Sequence, residues 1–129
     1  MAASAEFIAF AIEQMAGLGA VTARRMFGGA GLYRGPVMFA LILDDKLYFR
    51  TDREGEARFA AAGLSPFTYA TKHGERTVRA FWRAPLACLD DEEEMVRWAE
   101  AAFAAAATAQ RARKPAAKRA KTSTAKRRR

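Results

Sequence analysis

Three features make this an α+β chain, a mainly antiparallel sheet with helices packed on it. Apolar residues recur at helical spacing near the start (Phe7, Ile8, Ala11, Ile12, Met15) and again late (Met95, Trp98, Ala99, Ala102). Between them lie segments rich in β-branched and aromatic residues, punctuated by glycine, proline and aspartate turns. Strands and helices are thus segregated rather than strictly alternating. With 129 residues, 51% of them apolar and 11% aromatic, the chain can bury one core without disulfides or metal.

The first helix starts after Ser4, which is placed to cap it, and stops at Gly17 and Gly19. Arg24–Tyr33 is aromatic and β-permissive but interrupted by Gly28, Gly29 and Gly31, which predicts one bent or bulged strand. Gly35-Pro36 marks a turn. Val37–Leu43 is apolar at both alternate sets of positions, the pattern of a strand buried on two sides. Asp44-Asp45 turns the chain into Lys46–Thr51, where Leu47 and Phe49 alternate with Tyr48 and Arg50, completing a three-stranded meander. Arg53–Ala62 has helix-forming composition and ends at Gly63. Phe67–Thr71 and Arg76–Arg83 read as a hairpin around Lys72-His73-Gly74-Glu75, closed by Pro85. The last helix begins at Asp90 or Asp91, each with a glutamate three residues on, Glu93 or Glu94. The expected order is α-β-β-β-α-β-β-α.

Charge divides the chain in two. The formal net charge is +8, yet residues 1–109 carry 12 basic and 14 acidic side chains, a net of −2. Residues 110–129 carry ten basic side chains and no acidic one: Arg111, Arg113, Lys114, Lys118, Arg119, Lys121, Lys126, Arg127, Arg128 and Arg129. A uniformly basic DNA-coating domain is excluded. After Phe103 the sequence becomes alanine-rich, then Ala, Lys, Arg, Thr and Ser with one proline, too little apolar area to offset the entropy of ordering it. Helix is expected to about Lys114, where Pro115 disfavours continuation, and disorder beyond. The chain therefore reads as a body, 1–109, and a disordered basic tail, 110–129. The ten cations are the candidate nucleic-acid-binding residues, since phosphate contacts release counterions and attach without reading sequence. The alternative is a solubilising tail with incidental affinity.

Reactive groups are scarce. Cys88 is the one cysteine, which excludes an intrachain disulfide framework and a thiolate-rich zinc site, and its apolar neighbours suit a buried, inert thiol. His73, the one histidine, falls in a turn and reads as solvated. No nucleophile–base pair is in sight, so the chain is read as no enzyme, with no cofactor and no metal. Gly28-Gly29-Ala30-Gly31 suggests a phosphate loop, but Leu32-Tyr33-Arg34-Gly35-Pro36 cannot open the helix such a loop needs. Asp90–Glu94 fans around a helix start, favouring capping and dipole compensation over a cation site. Arg24, Arg25, Arg34, Arg50, Arg53, Arg76, Arg79 and Arg83, with Tyr48, Tyr69 and Trp82, have the makings of a single-strand-binding face. The competing reading pairs these arginines with Asp44, Asp52 and Glu75, and the body's negative net charge favours it. The Val37–Leu43 run is too short to cross a bilayer, and no secretory signal is visible around Glu6 and Glu13, so a cytoplasmic location is expected.

The run Arg24-Arg25-Met26-Phe27-Gly28-Gly29-Ala30-Gly31-Leu32-Tyr33 resembles the N-terminal domain of the TfoX/Sxy family. Val37–Ile42, Lys46–Arg50, Pro66–Tyr69, Trp82-Arg83-Ala84-Pro85 and Trp98-Ala99 extend that resemblance over about residues 5–107. It implies a secretion-chaperone-like α+β fold and kinship to bacterial regulators of competence for natural transformation. Those act as coactivators with the cyclic-AMP receptor protein at competence promoters, and no catalytic residues carry over. Full-length regulators of this kind have a second, helical domain where this sequence has its basic tail. The resemblance and the charge division together imply a TfoX-N-like regulatory or interaction protein, a transcription coregulator of the competence type. Its body would contact a transcription-machinery protein while its tail holds nucleic acid. The alternative is a nucleoid- or RNA-associated accessory protein without a regulatory partner. Secretion chaperones pair through an exposed sheet face, which by analogy would make this chain a homodimer.

Overall fold

The computed structural model describes residues 3–26 and 28–122, with side chains through residue 112. In chain order it contains α1 (Ala5–Gln14), a 3₁₀ turn (Ala16–Leu18), β1 (Thr22–Met26), β2 (Gly29–Arg34), β3 (Val37–Leu43) and β4 (Lys46–Arg50). Then follow α2 (Arg53–Ala61), β5 (Pro66–Thr71), β6 (Gly74–Arg83), α3 (Ala87–Asp90) and α4 (Glu92–Thr122). The six strands form one antiparallel sheet in the order β1-β2-β3-β4-β6-β5. The α+β class expected from the sequence is the class observed.

Local chemistry sets the boundaries. The Ser4 hydroxyl accepts the Phe7 N–H at 3.1 Å and starts α1, while Gly19, at φ 114°, takes the chain out of the 3₁₀ turn. Asp52 caps α2 by accepting the Gly55 N–H at 2.8 Å. Asp91 starts α4 by accepting the Glu93 N–H at 2.9 Å.

Four expectations need correction. Arg24–Tyr33 is not one bent strand: β1 and β2 pair antiparallel, with Met26 opposite Gly29 and Gly28 at φ 79° in the turn. The meander therefore has four strands. The glycines serve turning and close approach, because a Cβ on Gly29 would run into the Ile42 carbonyl oxygen and the Leu43 side chain. Gly29→Ala is accordingly expected to cost about 1–3 kcal/mol through overpacking. Urea unfolding would show a lower midpoint at unchanged slope.

The second correction concerns β3. Leu32 pairs with Ala40 and Tyr33 with Met38, so Phe39 is the extra residue of a β-bulge. The bulge shifts the phase of the strand, burying Val37 and Phe39 before it and Ala40 and Ile42 after it. Met38, Leu41 and Leu43 lie half-buried on the other side. The doubly apolar pattern thus records a change of phase, not burial on two faces.

Third, α3 was not expected. It seats Cys88 in the core before Asp91 opens α4. Fourth, the backbone of α4 stays helical past Pro115 to Thr122. Pro115 removes one N–H from the ladder, but alanine, the strongest helix former, flanks it on its C-terminal side. Of the disordered stretch expected beyond Lys114, residues 123–129 lie outside the described residues.

The core lies on one face of the sheet. Leu32, Phe39, Ala40, Ile42, Leu47, Phe49 and Trp82 pack against Ala11 of α1, Met15 at its C-cap, and Met95, Ala99, Ala102 and Ala106 of α4. Phe59 of α2 sits between Trp82 and Trp98, with ring centroids 6.0 and 4.9 Å away. Among the described residues the opposite face carries no helix, save that Gln110 of α4 reaches the β2–β3 turn, donating to the Pro36 carbonyl at 3.4 Å.

Candidate interaction face

Strand alternation and register decide what the helix-free face presents. Tyr48 lies opposite Arg83, and Arg50 opposite Phe81. On β5, Phe67 and Tyr69 are two residues apart and share a side, with Tyr69 opposite Arg76. The rings of Tyr48 and Phe67 meet edge to face at 5.1 Å, and those of Phe67 and Tyr69 stack at 5.8 Å. An aromatic run thereby crosses from β4 to the edge strand. At the other edge the Arg24 guanidinium lies 5.2 Å from the Tyr33 ring centre, and Arg50 lies 5.7 Å from that of Phe81. Gly31 makes room here, since a Cβ would press on Met38 Sδ at 2.7 Å and Met26 Cε at 3.1 Å. A shallow concavity of about 370 Å³ lies beside the run, lined among others by Tyr48, Pro66, Thr68, Arg83 and Leu86.

Charge is layered in the same sense. The strands carry eight basic residues and one acidic, Glu75. The helices and their caps hold eleven of the 14 carboxylates. In the near-neutral body the cations thus gather on the strands and the carboxylates on the helices.

The ion pairs among the described residues differ from the examples expected. Asp44 bonds Lys46 at 3.5 Å and Asp52 is committed to its cap. Arg79 pairs instead with Glu56 of α2, and Arg97 of α4 with Glu94. Arg25 and Arg34 turn to the helical side: Arg25 Nη1 donates to the Ala3 carbonyl at 2.7 Å, and Arg34 lies 4.8 Å over Phe103. Among the described residues, Arg24, Arg76 and Arg83 have no carboxylate within ion-pair distance. Trp82 does not join Tyr48 and Tyr69. It pairs with Phe49, belongs to the core and donates its indole N–H to the Arg79 carbonyl at 3.1 Å. Phe67 and Tyr33 take its place on the open face. The i, i+2 spacing of Phe67 and Tyr69 was the available signal for the first; nothing in the glycine-rich run singled out the second.

The candidate tail residues are placed unevenly. Arg111 is exposed on α4, its Nη2 3.5 Å from Thr108 Oγ1. Arg113, Lys114, Lys118, Arg119 and Lys121 lie on helical backbone with side chains outside the described residues. Lys126, Arg127, Arg128 and Arg129 lie outside the described residues altogether.

His73 sits exposed in the β5–β6 turn, its backbone N–H donating to Thr71 Oγ1 at 3.1 Å. Cys88 is fully buried, and that burial, followed by the charge of Glu94, pushes its thiol up to about 12. The native chain is expected to resist a thiol-specific disulfide reagent at mildly alkaline pH and to react fully once unfolded. The raised native value also has a stability consequence. The unfolded thiol ionises near about 8.5, so stability present below that pH is lost as pH rises toward about 12. Fast labelling of the folded chain would contradict both expectations.

Residues 13–106 match the family model of the TfoX N-terminal domain. The DNA transformation protein TfoX1 of Aliivibrio fischeri (strain ATCC 700601 / ES114) is 41% identical over 64 residues. That stretch is 50% of this chain and 31% of the relative, so the match spans about a third of the relative's length. Among the described residues no helix is long and apolar enough to cross a membrane.

Proposed function

This chain belongs to the TfoX N-terminal domain family, and from that membership we propose a non-enzymatic regulatory protein of the competence type. The relative named for DNA transformation supports the process. In this reading the body contacts a protein of the transcription machinery in the cytoplasm. The basic tail holds the assembly on nucleic acid. The observation that carries the reading is the confinement of ten cations, with no acid among them, to residues 110–129 of a chain whose first 109 residues are net −2. A weak, sequence-blind tether raises the local concentration of a protein-binding body without needing an element that reads bases.

The test is duplex DNA binding across a salt series, comparing the chain with a variant in which the ten tail cations are glutamine. Equal affinities reject the tether. RNA polymerase or its activators captured by the glutamine variant would support the protein-binding body. Tail-dependent binding with no such capture would favour the accessory nucleoid or RNA-associated reading.

A further inference from the structure

We propose that the helix-free sheet face binds single-stranded nucleic acid, its bases stacking along Tyr48, Phe67 and Tyr69 and its phosphates meeting Arg24, Arg76 and Arg83. The register supplies the pairing that such a ligand needs. Tyr48 faces Arg83 across one strand pair and Tyr69 faces Arg76 across another, so each end of the aromatic run has a guanidinium beside it. Arg24 repeats the arrangement over Tyr33. Tyr69 is 43% exposed, which leaves ring surface free for a base.

Charge complementarity selects the ligand class. Arg24, Arg76 and Arg83 have no carboxylate within ion-pair distance among the described residues, and Glu75 is the one strand carboxylate, which suits a polyanion and sets two such faces in mutual repulsion. Duplex DNA satisfies the arginines but hides its base faces within the stack. An acidic peptide likewise leaves the aromatic run unused. A single strand offers phosphates and free π-faces together, and it needs no sequence code for stacking.

The inference stands apart from the tail and is tested without it. In the full chain with glutamine at the ten tail positions, binding is measured to an oligothymidylate of about 20 nucleotides at about 0.15 M salt. The same measurement is made on its duplex with oligoadenylate and on polyglutamate. Tyr69→Ala is expected to weaken the single strand about tenfold, within the range of a lost base stack. Tyr69→Phe should restore it, and the duplex should bind more weakly and show no response to either change. Tyr69 is an exposed edge-strand residue, so both variants should keep the parent circular dichroism. Unchanged affinity in Tyr69→Ala overturns the proposal, as does failure to bind the oligonucleotide. Polyglutamate binding as tightly as the oligonucleotide overturns it in favour of an acidic peptide. A dimer that Tyr69→Ala dissociates, with no change in oligonucleotide affinity, overturns it in favour of a second copy.

Discussion

With all ten cations from Arg111 to Arg129 engaged on duplex DNA, the log–log salt slope of binding should approach about −9. Glutamine at those positions should collapse it to the small residual slope of the body. The size follows from counterion release, about 0.9 per phosphate neutralised. At full engagement, a fourfold rise in salt would weaken the parent about 10⁵-fold. Partial engagement would be read directly from the slope, a value near −4 meaning four or five phosphates held. Because every contact is to phosphate, shuffling the duplex sequence should leave the curve in place.

Phe39→Ala should be among the most damaging single changes in the body, costing about 3–5 kcal/mol. Phe39 has no exposed surface and meets the Phe103 ring of α4 edge-on at 6.3 Å. The loss would take a large share of an ordinary domain's stability. Its neighbour supplies the control. Met38 lies half-buried on the opposite face, so Met38→Ala should cost clearly less. Chemical denaturation of the two variants therefore checks the bulge itself. If Met38→Ala proved the worse, β3 would have the opposite phase.

What the sequence revealed follows from how local each signal is. Ser4, Asp52 and Asp91 act within a single turn of helix; Ser4 could be named from its neighbours and Asp91 narrowed to a choice with Asp90. The β5–β6 hairpin was legible because the β-rich runs flank a tight turn at Lys72-His73. The division of Arg24–Tyr33 into β1 and β2 was not, since its glycines fit a bulge as well as a hairpin until Met26 is seen opposite Gly29. Trp82 shows a second limit. It sits among exposed-looking arginines along the chain, and only its pairing with Phe49 sends it to the core. The layered charge was hidden for a related reason. Carboxylates and arginines are mixed along the chain, and they separate only once helices and strands are told apart.

Arg24, Arg76 and Arg83 on one side of the sheet and the helical carboxylates on the other give the body an electric dipole through the sheet. A polyanion within a Debye length, about 8 Å in physiological salt, feels pull from one side and push from the other. On the proposed single-strand reading, the resulting torque would turn the molecule before contact, strands toward the ligand and helices toward solvent. A body of near-zero total charge can therefore still be oriented by a polyanion.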